Sequence, residues 1–88
     1  MWFVFEYPQT VQFWMKNTYI PLDIIFIDED YTVISVYKGK PQSETIVEED
    51  NVNYVLELNQ NSGVKEGDEI ETDEDVPTMK VIGPNGEV

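Results

Sequence analysis

The chain has 88 residues, a formal net charge of -13, and neither cysteine, histidine nor arginine. Those absences exclude a disulfide framework and a thiolate or imidazole metal site, and they remove the commonest general base and the usual bidentate anion clamp. The acidity opposes binding to nucleic acid or anionic lipid and favours basic partners or divalent cations.

The length suits one small domain, 1–88. Alanine is absent too, and Val, Ile, Thr, Tyr and Phe take its place. That composition predicts an all-β domain with at most one short helical turn. It also resembles translation from AT-rich DNA, as in many bacteria and phages.

Trp2–Tyr7 reads as a strand ended by Pro8, and Val11–Met15 as a second. Lys16–Ile20 is a loop, with Ile20 held extended by Pro21. Leu22–Asp28 is the best central strand. Its two faces, Leu22/Ile24/Phe26 and Ile25/Ile27, are both apolar, as in a strand covered on both sides.

Glu29-Asp30 turns the chain into Tyr31–Lys38, with Asp30 expected to accept positive φ because no glycine is present. Gly39–Asp50 is a polar excursion, of which Thr45–Glu48 can pair at an edge. Val52–Leu58 follows, with Val52, Tyr54, Leu56 and Leu58 on one face. Asn61–Lys65 allows one helical turn. Gly67-Asp68 leads into a strand at Glu69–Glu71. Residues 72–77 form an acidic connector, Thr78–Ile82 a last strand, and Gly83–Gly86 a closing turn.

Phe13-Trp14-Met15-Lys16-Asn17-Thr18-Tyr19-Ile20-Pro21-Leu22-Asp23 resembles the signature of DUF192, an uncharacterised conserved bacterial and archaeal family. Pro41, Val55-Leu56-Glu57-Leu58, Gly63 and Gly67-Asp68 extend the similarity over residues 2–71. The resemblance implies a curled antiparallel sheet, an incomplete barrel, and brings no activity with it. Relative to the family pattern, an N-terminal strand is missing, so the chain reads as a minimal version. The C-terminal strand is a candidate to fill the vacated edge.

Lys16, Asn17, Thr18, Asp23 and Glu57 are the polar members of these blocks, with Trp14 beside them. As a binding site at the half-barrel mouth, Lys16 would attract an anion, Asn17 and Thr18 would hydrogen-bond it, and Asp23 or Glu57 would act as base. Trp14 would then line the pocket. The favoured structural alternative pairs Lys16 with Asp23 or Glu57 and uses Asn17 and Thr18 to hold a turn. The runs Asp28-Glu29-Asp30 and Asp73-Glu74-Asp75 lack EF-hand spacing, so no metal is expected, and no cofactor.

The leading expectation is a non-catalytic binding module or structural part of a protein assembly, in contact through its sheet edges. One version is an accessory component of a phage particle. A small-molecule or weakly hydrolytic site is the alternative. There is no leader-like segment and no apolar run long enough to span a bilayer, so a cytoplasmic or virion location is expected.

Overall fold

The computed structural model describes residues 1–73 and 76–82, with side chains as far as Glu71. Among these residues there are six strands: β1 (Trp2–Phe13), β2 (Leu22–Ile27), β3 (Val33–Gly39), β4 (Val47–Asn59), β5 (Glu69–Asp73) and β6 (Val76–Ile82). The first four form an open antiparallel sheet in the order β1-β4-β2-β3, and β5 pairs with β6. The fold is all-β, and no helix occurs among the described residues.

β2 is central because both its faces find cover. Ile24 and Phe26 point to an inner cluster with Val11, Met15, Val52 and Val55. Ile25 and Ile27 point to an outer cluster with Val33, Leu56, Val64 and Ile70. The alternation expected of β2 is thus correct on both sides.

The inner face is covered by the sheet itself. Phe13 pairs with Val47 and Phe26 with Val55, eight residues further along β4 (55 minus 47). In a straight strand those points lie about 26 Å apart. Yet the Phe13 and Phe26 rings meet edge-on with centroids 6.1 Å apart. Phe3 and Phe13, at opposite ends of β1, also meet, at 5.4 Å. The β1–β4 ribbon therefore folds over the inner face. Its tip reaches β3, where Ser35 Oγ donates to the Glu49 carboxylate.

The corner lies where the β1–β4 register breaks. Between the pairs Val4–Tyr54 and Gln9–Val52, β1 advances five residues and β4 two. Pro8 sits in that bulge, and Asn51 turns β4 with φ 58°. Proline does not end the strand here. Lacking an N–H, it occupies a bulge in an edge strand at no cost to the ladder. The two expected strands are consequently one bent strand. The same bend places Val52 in the inner cluster, whereas Tyr54, Leu56 and Leu58 belong to the outer one, so the four do not share a face.

The β2–β3 turn also differs from expectation. Asp28 Oδ1 accepts the N–H groups of Asp30 (2.8 Å) and Thr32 (3.0 Å), and the positive φ, 62°, falls on Tyr31. This is a three-residue loop with its left-handed residue at the bulge position usually held by glycine. The aromatic ring there is used: Tyr31 stacks on Tyr54 (4.8 Å), which stacks on Trp2 (5.2 Å).

The outer face is covered by residues 60–70. There is no helical turn at Asn61–Lys65. Asn61 and Gly63 have positive φ (66° and 85°), which breaks any helical run. β5 then docks on the start of β3, with Val33 N–H donating to Asp68 O (2.7 Å) and Ile70 N–H to Tyr31 O (2.7 Å). The strand placed at Thr78–Ile82 begins at Val76 and pairs with β5 rather than with an edge of the main sheet. The connector is shorter than expected for the same reason: Asp73 already pairs with Val76. The turn expected at Gly83–Gly86 lies outside the described residues.

Gly39 marks a close approach. A Cβ there would stand 2.6 Å from Met15 Sδ, and Met15 is only 2 % exposed. Gly39→Ala is expected to cost about 1–3 kcal/mol. Pairing it with Met15→Leu, whose branched end vacates the sulfur position, should recover part of that loss in urea unfolding.

Candidate functional site

The expected polar group divides between two faces. Side chains of paired residues in an antiparallel ladder share a face. Asp23 pairs with Lys38 and Leu58, on the outer face, while Glu57 pairs with Ile24, on the inner face. The sheet itself stands between the two carboxylates.

Asp23 is fully buried and fully used. Its Oδ1 takes the Lys38 ammonium at 3.0 Å. Its Oδ2 accepts from Ser62 N–H (3.0 Å) and Ser62 Oγ (2.6 Å). Ser62 Oγ in turn accepts from Val64 N–H at 3.3 Å. Burial alone would raise the carboxyl pKa. The bonds from Ser62 and Lys38 outweigh it and hold the group below its ordinary range. The carboxylate thus pins the 60–64 segment, and with it Val64, onto the outer face.

Lys16 does not make the expected pair with Asp23. It is exposed, with Nζ 5.1 Å from the centroid of the Trp14 ring. Asn17 and Thr18 do hold a turn. Thr18 N–H donates to Met15 O at 2.9 Å, and Thr18 O accepts from Gln42 N–H at 2.8 Å. Asn17 takes the third turn position with φ 66°. Asparagine tolerates that geometry and β-branched residues do not. Asn17→Val should therefore cost about 1–2 kcal/mol, and Asn17→Gly almost nothing, by thermal unfolding.

Glu57 is half-buried. Desolvation pushes its carboxyl above the usual range, with the Met1 ammonium pulling the other way. A raised folded pKa favours the fold below the ordinary carboxyl value, and that contribution is lost as pH rises through the folded pKa. Glu57→Gln is accordingly expected to be more stable than the parent at pH 7 and indistinguishable from it near pH 3.

The surface most open to a partner is apolar. β1 is an edge strand, and Val4 (61 %) and Tyr7 (70 %) stand exposed on it. At its C-terminal end, Gln12 and Phe13, with Trp14 and Ile46 beyond the strand, line a cleft of about 190 Å³. Trp14 and Ile46 are half-exposed or more, and so are Tyr19 and Ile20 in the following loop. The opposite edge, β3, is covered at its start by β5. Sequence reasoning singled out Trp14 but missed Ile46, which lay in a stretch read as polar.

Among the described residues no group of three acidic side chains could hold a metal ion, and no helix is long and apolar enough to cross a membrane.

The model of DUF192, described as "Uncharacterized ACR", matches residues 1–72. The chain belongs to the DUF192 family. Two solved structures are similar over 78 % of this chain. A provisionally named transcription regulator from Sinorhizobium meliloti is 43 % identical with a TM-score of 0.71. A protein of unknown function from Novosphingobium aromaticivorans is 37 % identical with a TM-score of 0.72. The chain spans 58 % and 54 % of their respective lengths. No curated protein matches it. The DUF192 match contains β1–β4 and the 60–70 segment, so it takes in both the Asp23 staple and the β1 edge.

Proposed function

We propose that this DUF192 domain is a protein-binding module whose contact surface is the free edge of β1 together with the Phe13–Trp14–Ile46 cleft. The observation that carries this reading is the edge itself: a twelve-residue strand, paired on one side among the described residues, with exposed Val4 and Tyr7.

Exposed edges of this kind accept a further strand, with backbone hydrogen bonds supplying affinity and side-chain pockets supplying selectivity. Here the run Gln9–Phe13, regular in register from Val11 onward, leads directly into the cleft. An incoming extended segment would pair along that run and place an apolar side chain between Trp14 and Ile46. With a net charge of -13, the favoured segment is neutral or basic. The name of the Sinorhizobium meliloti relative suggests a role near transcription. For this chain the charge and the lack of arginine weigh against direct contact with nucleic acid, so any such role would run through a protein.

Hydrogen exchange on the complex tests the reading. Amides of Gln9–Phe13 should gain protection on binding while those of β3 do not change. Protection confined to β3 or to the 60–70 segment would refute it.

A further inference from the structure

A polar cleft opens where β2 ends, away from the Asp23 staple and from the Lys16 loop. Pro8, Asp28, Glu29, Asp30, Asn51 and Asn53 line it, and it measures about 200 Å³. Its rim carries the carboxylates of the β2–β3 turn. Asp28 commits Oδ1 to two backbone N–H groups of its own turn.

The floor carries a separate anomaly. Asn53 is 7 % exposed, and its Oδ1 is buried without a hydrogen-bond partner among the described residues. The β2–β4 ladder explains the position. Ile27 pairs with Tyr54, so the next step along the two strands sets Asn53 beside Asp28 on the inner face. An unpartnered buried acceptor costs the fold free energy that a valine at the same place would not. The feature that would satisfy it is a hydrogen-bond donor entering from the cleft, and the surrounding carboxylates select a positively charged one.

We propose that this cleft binds the head group of an organic cation, a primary ammonium or guanidinium on a short apolar stem. Rotation of the Asn53 amide about its Cβ–Cγ bond, a broad torsion, turns Oδ1 toward the incoming N–H. The Asp28, Glu29 and Asp30 carboxylates supply the opposing charge, and the Pro8 ring flanks the stem. A bare metal ion fits less well. The acidic side chains here do not converge as a metal-ligating group, and the space is several water volumes at about 30 Å³ each. The two sources of such a head group are a free amine and a lysine or arginine side chain of a protein. The inference does not depend on the β1 edge.

The test is an NMR titration of the full chain with butylammonium, ethylguanidinium, the tripeptide acetyl-Gly-Lys-Gly-amide, calcium chloride, and sodium chloride at matched ionic strength. Saturable shifts of the Asn53 side-chain amide and the Asp28–Tyr31 backbone are expected with the organic cations. Asn53→Val should weaken binding at least tenfold. Asp28→Asn, which keeps the turn acceptor and removes the charge, guards against a fold effect and should weaken it too. A tripeptide at least tenfold tighter than butylammonium assigns the site to a basic side chain, and equal or weaker binding assigns it to a free amine. Shifts reproduced by sodium chloride, saturation by calcium alone, or unchanged binding in both variants would overturn the proposal.

Discussion

Asp23→Ala is expected to lose about 2–4 kcal/mol and to loosen residues 60–70 before the rest of the domain. The cost does not come from Lys38, whose side chain is 53 % exposed and can return to water. It comes from Ser62, whose N–H and hydroxyl both lose their acceptor, and from Val64, which that bond holds over Ile25 and Leu56. Asp23→Asn keeps an oxygen and should lose less. The pH dependence follows from the lowered pKa. The carboxylate's contribution is present above the ordinary value of 3.8 and disappears as pH falls through the lower folded value. The stability gap between parent and Asp23→Asn should therefore be full at pH 7 and close in that acid range. Urea unfolding at a series of pH values, with hydrogen exchange on Val64 and Ile70, measures both effects. A gap independent of pH would mean that Asp23 is not the staple.

Phe26→Ala is expected to be the most damaging single change in the inner core, at about 3–5 kcal/mol. A domain of 88 residues has roughly 4–13 kcal/mol in all, at about 0.05–0.15 per residue. Much of the population would then be unfolded at moderate temperature. The size of the effect rests on geometry. Phe26 is 1 % exposed and is the surface on which Phe13 and the folded ribbon close. If the ribbon instead stood away from the sheet, Phe26 would be half-exposed and the loss nearer 1.5 kcal/mol. A double-mutant cycle with Phe13→Leu should show coupling of about 0.5–1.5 kcal/mol, the range for an aromatic pair. No coupling would contradict the bend.

Local chemistry made much of this fold legible. The two-faced apolar run Leu22–Ile27, the hairpin after it and the Gly67-Asp68 turn are all where their residues suggest. Gly67 has φ 89°, and Lys65 N–H is tied to Asp68 Oδ2 at 2.9 Å. Pro8 was misleading because proline both ends strands and marks bulges, and only the partner strand distinguishes the two. Tyr31 was misleading because stacking on Tyr54, remote in sequence, offsets the strain of positive φ.

The candidate site was less legible. Lys16 lies nearer Asp23 in sequence, but Lys38 lies directly across the hairpin, and counting back from the turn would have found it. Ser62 carries no such signal, since a loop residue meets a strand only through tertiary packing. Asn53 carried a faint one: it shares the alternation of Val55 and is polar where that face is apolar.

The measurement that bears most directly on the β1 edge as a binding surface is native mass spectrometry of the protein taken gently from its source, as wild type and as Trp14→Ala/Ile46→Lys. Both substituted side chains are about half exposed or more, so the variant should keep its fold. The account predicts a stoichiometric complex with a protein partner for the wild type and a bare, folded chain for the variant. A complex that survives in the variant, or a bare monomer in both, would contradict it.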